Sequence, residues 1–351
     1  MMDPELMSIG AFAKRVGLTA SALRFYDDAG LLRPERIDPL TNYRFYSESQ
    51  VTCASQLRGL REIGMPLPAI GRFFDAGPAE AAGLIDEHVA KVAADADAVH
   101  QRAATLKASL TENAHLILGV LSGPVLAAAV DQVLVTTTHD PEVPVLAGVR
   151  LEAEPDAISL TATDRYRLAT RTLVPTQASA ASWAGTLVGD DLLAMMSRLR
   201  RSPSVTLEAA EHALAFGLAD GTTAYCRLLT EVFPDYRLLI VSLAAVTHRV
   251  TIQAQRFLKA LEQAPARIGL RISAGRPSLV LPEAVMALDG TATGTDLTLW
   301  FELTTLYPAV SHALGADVML DLRGPDQPAT VRSANDGDLT TLVMPCRAGP
   351  S

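Results

Sequence analysis

Residues 19–34 read TASALRFYDDAGLLRP, and this stretch decides how the amino-terminal part of the chain folds. Thr19 is suited to cap the first turn of a helix, and Gly30 is suited to end it. Upstream, Ser8 and Gly17 bound another short helix, SIGAFAKRVG, in the same way. Two short helices joined by a tight turn that contains glycine predict a helix-turn-helix motif.

The second of these helices has one polar face. Helical spacing puts Ser21, Arg24 and Asp28 on that face, whereas Leu23 lies on the side suited to a core. We expect Arg24 and Tyr26 to point outward. The alternative for Tyr26 is that its ring packs the helix against its neighbours.

The next segment, LLRPERIDPLTNYRFY, predicts a two-stranded wing. Pro34 and Pro39 oppose helix formation, and Thr41 with Asn42 favours a turn. The cationic and aromatic side chains expected on this wing are Arg33, Arg36, Tyr43, Arg44 and Tyr46.

A third helix is predicted after Ser47, which is suited to cap it. The expected buried stripe of this helix is Val51, Leu57, Leu60 and Ile63. Met65 and the residues after it open a short fourth helix that runs to Phe74.

Charge is divided unevenly along the 351 residues. The whole chain has a net charge of −9, but residues 1–77 hold nine Lys/Arg and nine Asp/Glu. The amino-terminal part is therefore the one that can approach phosphates without a general repulsion. Cys53, Cys226 and Cys346 show no metal-binding spacing and are expected to be reduced thiols. With neither a secretory signal nor a long apolar run, we expect a cytoplasmic protein.

The segments SIGAFAKRVGLTASALRFYDDAGLLRP, NYRFY and LRGLREIGMPLPAI together cover nearly all of residues 8–75. They resemble the MerR family of winged-helix transcription regulators. The resemblance implies a dimer that places its recognition helices in successive major grooves and regulates a promoter by distorting DNA. It also implies a set of DNA contacts, namely Lys14, Arg15, Ser21, Arg24, Tyr26, Tyr43 and Arg44. For Tyr43, as for Tyr26, packing of the wing is the alternative.

Residues 78–113 predict a coiled-coil helix. Apolar residues recur in steps of four and three, which is a heptad pattern. Its positions, here called the seam, are Ile85, Val89, Val92, Ala96, Val99, Ala103, Leu106 and Leu110. MerR proteins pair through an antiparallel coiled coil at this point, so the resemblance implies a homodimer. The alternative is a helix that packs its apolar face on its own chain.

The metal-sensing branch of that family is disfavoured because no cysteine lies near the end of this helix. His88, His100 and His115 do not cluster, and we expect them to be solvated.

The carboxyl-terminal half alternates strand-like runs with short helices. The order of helix and strands appears twice, which predicts two α+β units. Three of its fragments are ATDRYRLA at 162–169, CRLLTEVFPDYRLLI at 226–240 and LTTLVMPCR at 339–347. With VLAGVRLE at 145–152, they resemble the second and third domains of the bacterial sliding clamp, the beta subunit of DNA polymerase III.

The clamp resemblance implies a peptide pocket between these two domains. The residues carried over are Thr163, Tyr166, Arg167, Leu168, Pro234, Leu238, Val343, Met344, Pro345 and Arg347. Apolar side chains would line the slot, and Arg and Thr would fix a backbone or a carboxylate. The alternative is that these residues are an interface core. Arg165 and Tyr166 replace the Gly and His usual in clamps, so the shape of the pocket is changed.

The chain also departs from a working clamp. The first clamp domain is absent, and the MerR-like segment stands in its place. The helices expected to line a ring carry five cations, namely Arg198, Arg200, Arg201, Arg256 and Lys259. Because each lost phosphate contact weakens binding to DNA, a processivity ring is disfavoured.

The predicted architecture is multidomain. A largely helical winged helix-turn-helix domain (1–77) and a dimerisation coiled-coil helix (78–118) precede two α+β domains that resemble clamp domains 2 (119–243) and 3 (244–351). The predicted function is a DNA-binding transcription regulator whose clamp-like half binds a peptide or peptide-like effector. The alternative is an interaction module that brings clamp-binding replication or repair proteins to a DNA site. No nucleophile–base pair, phosphate loop or metal cluster is found, so we expect neither an enzyme nor a cofactor. Asp164 is expected to cap a turn or to form an ion pair.

Overall fold

A computed structural model describes residues 6–110, 116–180, 182–282, 284–313, 315–334 and 338–347. The chain divides into two compact units, Met1–His100 and Gln101–Ser351.

The amino-terminal unit is a helical domain with a small antiparallel sheet. Its elements are β1 (Leu6–Ser8), α1 (Ile9–Val16), α2 (Ala20–Asp28), β2 (Arg36–Ile37), β3 (Arg44–Ser47), α3 (Val51–Glu62), α4 (Leu67–Asp75) and the start of α5 (Pro78–Leu110). The strand order is β1-β3-β2, so the wing has one strand more than predicted.

Local side chains set the ends of the first two helices, as predicted. The hydroxyl of Ser8 accepts a hydrogen bond from the Ala11 amide (3.3 Å), and that of Thr19 accepts one from the Ala22 amide (3.1 Å). Gly17 ends α1 with φ +69°. A Cβ at this glycine would collide with the Arg58 guanidinium, which donates to the Val16 carbonyl (3.0 Å). Arg58 of α3 thereby fixes the turn between α1 and α2.

The core of this unit corrects three of the predictions. Tyr26 is 7% exposed and belongs to the core, so its outward orientation is wrong and the packing alternative is confirmed. Tyr46 is fully buried and stacks on Phe12 with ring centroids 4.7 Å apart. Ile63, predicted in the buried stripe of α3, is 45% exposed because it lies beyond the end of that helix.

The helix α5 spans 33 residues. Three of its seam residues are half-exposed or more, with exposed fractions of 55% for Val89, 50% for Val92 and 61% for Val99. At these positions the helix does not bury its apolar face in the core of the amino-terminal unit. Ile85, one step earlier in the seam, packs against the core of the amino-terminal unit.

The carboxyl-terminal unit contains two α+β layers. The first is built from β4 (Leu116–Ser122), α6 (Gly123–Leu134), β5 (Gly148–Glu154), β6 (Ala157–Thr163), β7 (Arg167–Leu173), β8 (Gln177–Ala178), β9 (Trp183–Val188), α7 (Gly189–Arg201), β10 (Ser204–Ala209), β11 (Ala213–Leu218), β12 (Thr223–Leu229) and α8 (Tyr236–Ser242). The strand β4 begins ahead of residue 119, the predicted start of this domain.

The second layer repeats the pattern. It is built from β13 (His248–Gln253), α9 (Ala254–Glu262), β14 (Arg267–Ser273), β15 (Arg276–Val280), β16 (Val285–Ala287), β17 (Gly290–Ala292), β18 (Leu297–Glu302), α10 (Leu303–His312), β19 (Asp317–Leu322), β20 (Ala329–Ser333) and β21 (Leu339–Val343).

One sheet of 14 strands passes through both layers, in the order β17-β13-β19-β20-β21-β7-β6-β5-β9-β12-β11-β10-β4-β8. A second sheet, β16-β15-β14-β18, completes the second layer. The two layers join where β21 pairs antiparallel with β7, with Leu342 opposite Leu168. Backbone hydrogen bonds thus connect two separate hydrophobic cores.

Candidate nucleic-acid interface and ligand cavity

The predicted DNA-contacting face of α2 is exposed. Ser21, Arg24 and Asp28 are all accessible, and so is Lys14 on α1. Within the described residues, Arg24 and Lys14 form no ion pair and no hydrogen bond through their side chains. Both cations are therefore available to a polyanion.

Two other predicted phosphate contacts are engaged within the chain. The Arg44 Nε donates to Asp27 Oδ2 (2.7 Å), and this hydrogen bond raises the pKa of the guanidinium. The Arg44 Nη2 lies 3.8 Å from Asp28 Oδ1, so Arg44 ties β3 to α2. Arg15 pairs with Glu48 (2.8 Å) on the surface, where such a pair is weak and easily exchanged.

The aromatic side chains on this face differ from the prediction. Tyr43 is 47% exposed and stays a candidate contact, whereas Tyr26 is buried. Phe25, which sequence reasoning passed over, is 53% exposed beside Arg24. The signal was available, because residues one apart on a helix differ by about 100° in direction and only one of Phe25 and Tyr26 can face the core.

At the other candidate site, the first and last clamp-like fragments lie side by side. The Met344 amide donates to the Tyr166 carbonyl (2.9 Å), which extends the pairing of β7 with β21. The structure therefore brings the TDRYRL and LVMP segments together, as the clamp resemblance implies.

The polar groups of the predicted pocket are already satisfied. Asp164 Oδ1 accepts from the Tyr166 amide (3.0 Å) and the Arg167 amide (2.7 Å), so the predicted capping role of Asp164 is confirmed. The Arg167 guanidinium donates to Asp164 Oδ2 (2.8 Å), and their side chains are only 10% and 12% exposed. The Thr163 hydroxyl donates to the Arg167 carbonyl (2.7 Å). Arg167 and Thr163 thus stabilise the hairpin turn rather than offering free polar groups to a ligand.

A cavity of about 510 Å³ lies along the junction of the two layers. It is lined by Leu168, Thr170, Thr172, Ile240, Leu243, Arg323, Thr330, Asp338, Thr340 and Leu342. The Arg323 guanidinium donates to the Thr330 hydroxyl (2.8 Å) and to the Ala244 carbonyl (2.9 Å). Burial lowers the pKa of Arg323, so the cavity has a partly desolvated cation at its edge.

This cavity shares only Leu168 with the ten predicted pocket residues. Pro234 lines a different cavity, of about 560 Å³, beside β5 and β9. Leu238 (67%), Tyr166 (66%) and Arg347 are exposed, and Met344 and Pro345 are half-buried. Val343 lies in the core of the second layer. The predicted pocket residues were carried over from the clamp fragments, whereas the strand residues that line this cavity alternate along one face, as Leu168, Thr170 and Thr172 do.

The turn that carries Arg165 is strained. Its φ is +78°, a left-handed conformation that favours glycine and costs other residues about 1–2 kcal/mol. The Arg165 guanidinium pairs with Asp140 Oδ2 (2.8 Å), which fixes this side chain to the loop before β5. Arg165, which stands where clamps usually have glycine, is therefore held in this turn by its ion pair with Asp140.

The helices that would face DNA in a ring offer few free cations. Arg200 pairs with Asp131, Arg256 pairs with Asp289 (2.7 Å), and Arg198 donates to the Thr222 hydroxyl (3.0 Å). Of the five cations, Arg201 and Lys259 have no partner within the described residues.

In the described part of the chain, no group of three or more His, Cys, Asp or Glu side chains could hold a metal ion. His88 lies 3.0 Å from the Ile63 carbonyl, the side chain of His100 is not described, and His115 lies outside the described residues. Over those same residues, every helix is too short or too polar to cross a bilayer.

Two family models match the chain. Residues 7–77 match the MerR HTH family regulatory proteins, and residues 120–235 match the central domain of the DNA polymerase III beta subunit. The mercuric resistance operon regulatory protein of Shigella flexneri is 31% identical over 127 residues, which are 35% of this chain and 88% of that protein.

Clamp relatives match the other half. The beta sliding clamp of Streptomyces coelicolor is 27% identical over 251 residues, 65% of this chain and 66% of that protein. The sliding clamp homolog GriR of Streptomyces muensis is 31% identical over 149 residues, 42% of this chain and 39% of that protein. The chain thus spans less than two thirds of the length of either clamp relative.

Solved sliding clamps share the fold of the carboxyl-terminal unit. The sliding clamp of Pseudomonas aeruginosa in its griselimycin-bound structure superposes with a TM-score of 0.61 at 20% identity. The match covers 68% of this chain and 67% of that one. At this identity the comparison supports the fold alone.

Proposed function

Because the chain belongs to the MerR family of helix-turn-helix regulatory proteins, we propose that it is a DNA-binding transcription regulator that acts in the cytoplasm. The observation that carries this proposal is the exposed face of α2, where the side chain of Arg24, like that of Lys14 on α1, has no ion-pair partner among the residues that the structure describes. We propose that the clamp-like half is a non-enzymatic effector domain that works without a cofactor.

The regulator is proposed to be a homodimer. Half-exposed valines on a single helix leave apolar surface in contact with water. Burying each valine side chain would stabilise the protein by about 1.5–3 kcal/mol. The seam residues Val89, Val92 and Val99 are half-exposed or more in the single chain and follow a heptad pattern. A second copy of the same helix is the partner that matches this spacing.

We expect the amino-terminal unit alone to account for binding to DNA. The logarithm of the association constant falls as the logarithm of the salt concentration rises. Lys14→Ala and Arg24→Ala should each reduce the magnitude of this slope by about 0.9, because each removes one phosphate contact. Arg201→Gln combined with Lys259→Gln should leave that slope unchanged. The probe is a 40-base-pair duplex selected from a random library by the wild-type protein, and the measurement is a fluorescence anisotropy titration at several salt concentrations.

A slope that falls in the Arg201/Lys259 double variant would contradict this assignment, because the clamp-like half would then contact phosphates. Failure of the wild-type protein to select any duplex would contradict the regulator proposal itself.

The cavity at the junction of β7 and β21 is the proposed effector site. Leu168, Leu342 and Ile240 give it an apolar lining, and Arg323 adds a cation at its edge. Such a site suits a peptide-like molecule with apolar side chains and an acidic or carbonyl group. The ligand would shift regulation only by binding one DNA-bound shape of the dimer more tightly than another, and such coupling is typically about 1–3 kcal/mol.

Thermal unfolding with added ligand tests the effector site. Griselimycin and a clamp-binding peptide are the two probes, and each should raise the melting temperature if it binds the native state. Ile240→Asn should abolish the shift, because Ile240 lines the cavity and is 44% exposed. Val241→Asn is the matched control, since the adjacent Val241 is 83% exposed and does not line the cavity.

The outcomes separate the two candidate roles. A shift with griselimycin that also changes affinity for the selected duplex favours the effector role. A shift with the peptide alone, with affinity for DNA unchanged, favours the alternative interaction module. No shift at saturating concentrations of both probes would remove the effector proposal. Arg167→Ala is a poor test because it disturbs the buried pair with Asp164.

A further inference from the structure

The tip of the wing presents an isolated apolar side chain. Leu40 is 95% exposed, whereas the core of the same unit is closely packed. The large apolar side chains exposed in residues 6–75 are Phe25, Ile37, Leu40, Tyr43 and Ile63. All of them except Ile63 lie on α2 or on the wing, which are the two elements predicted to contact DNA.

The loop beneath Leu40 is tightly fixed. Asp38 Oδ1 accepts hydrogen bonds from the Leu40 amide (2.9 Å) and the Thr41 amide (2.9 Å). The Asp38 amide donates to the Tyr43 carbonyl (2.8 Å), and the Asn42 amide donates to the Asp38 carbonyl (2.8 Å). Asn42 has φ +59°, a left-handed conformation that asparagine tolerates well. Leu40 is therefore held outward by a preorganised loop.

Charges of both signs lie around the tip. The Thr41 and Leu40 amides donate to the Asp38 carboxylate and lower its pKa, so this carboxyl stays ionised, and the nearby Arg36 guanidinium adds a positive charge. Arg36 lies over the ring of Phe45 at 5.0 Å, close to the base of the tip. Arg44 anchors β3 to Asp27 of α2 (2.7 Å), so the wing and the DNA-contacting helix form one surface.

We propose that Leu40 is an apolar wedge that enters the minor groove of the bound DNA and helps to bend it. The minor groove is about 6 Å wide, and a hairpin whose strands are about 4.8 Å apart can place little more than its tip side chain inside. Apolar wedges of this type unstack base steps and kink the duplex. The inference rests on the proposed function, because it needs a duplex bound at α2.

The test measures affinity and bending separately. Leu40→Ser should bind the selected 40-base-pair duplex about 10-fold more weakly, the loss expected when one leucine contact is removed. The bend, measured by energy transfer between dyes at the duplex ends, should decrease. The salt slope should stay unchanged, since Leu40 contacts no phosphate. Leu40→Met keeps an apolar tip and should retain both affinity and bend.

Val174→Ser is the matched control, because Val174 is 79% exposed but lies in the clamp-like half. Normal affinity and bend in Leu40→Ser would overturn the wedge. A lower salt slope or a lower melting temperature in Leu40→Ser would also overturn it, because the tip would then serve the structure of the wing. If the wild-type protein selects no duplex, the proposed function fails before the wedge is tested.

Discussion

Replacing Asp164 with alanine is expected to lower the free energy of unfolding of the clamp-like half by about 3 kcal/mol, as for other buried ion pairs that lose one partner. The carboxylate accepts hydrogen bonds from two backbone amides and from the Arg167 guanidinium. Its removal leaves Arg167 only 10% exposed and without its partner. Urea denaturation followed by circular dichroism measures the change.

Asp156→Ala is the matched control, because Asp156 also lies in a hairpin turn but is exposed. Its effect should stay within about 0.5 kcal/mol. In the double variant Asp164→Ala/Arg167→Ala the loss should be smaller than the sum of the single losses, since the two side chains are coupled. Equal stability of the Asp164 and Asp156 variants would contradict this account of the turn.

Placing a charge in the seam is expected to separate the dimer. In Val92→Asp each copy would place a carboxylate between the helices and would lose a valine that the dimer buries. The free energy of dimerisation should become about 3 kcal/mol less favourable for the pair. Affinity for the selected duplex should fall about 100-fold, because a monomer reads only one half-site. Analytical ultracentrifugation and anisotropy titration measure the two effects.

Ala94→Asp provides the control for the seam. Ala94 is exposed on the same helix and lies outside the heptad positions, so the variant should remain dimeric and should bind DNA normally. If Val92→Asp stays a dimer at micromolar concentration, the coiled-coil proposal is wrong, and dimerisation must be sought in the clamp-like half.

Features set by neighbouring residues were predicted well from sequence. The caps at Ser8 and Thr19, the turn at Gly17 and the capping role of Asp164 depend on side chains within a few positions of the backbone that they bind. The repeated order of helix and strands, which predicted two α+β units in the clamp-like half, also followed from the sequence pattern. The family resemblance supplied the pairing of distant segments, which no local pattern contains.

Features set by tertiary packing were not predicted. Tyr26 is amphipathic, so its residue type allows either a buried or an outward ring, and only its packing in the core of the amino-terminal unit decides. The strand β4 is a nearly continuous apolar run, and because a helix can show the same run the pattern alone does not decide between the two. The peptide pocket carried over from the clamp motif stays a prediction, and of its ten residues only Leu168 lines the cavity at the junction.

One continuous sheet crosses the junction of β21 and β7, so a small rotation at that junction produces a larger displacement at distant strands. Seven strand spacings separate β7 from β4, a distance of about 33 Å if each spacing is about 4.8 Å and curvature is ignored. A hinge of about 5° at the cavity would therefore displace β4 by about 3 Å. A small backbone adjustment around a ligand in the cavity would thus be magnified at the far strands of the same sheet.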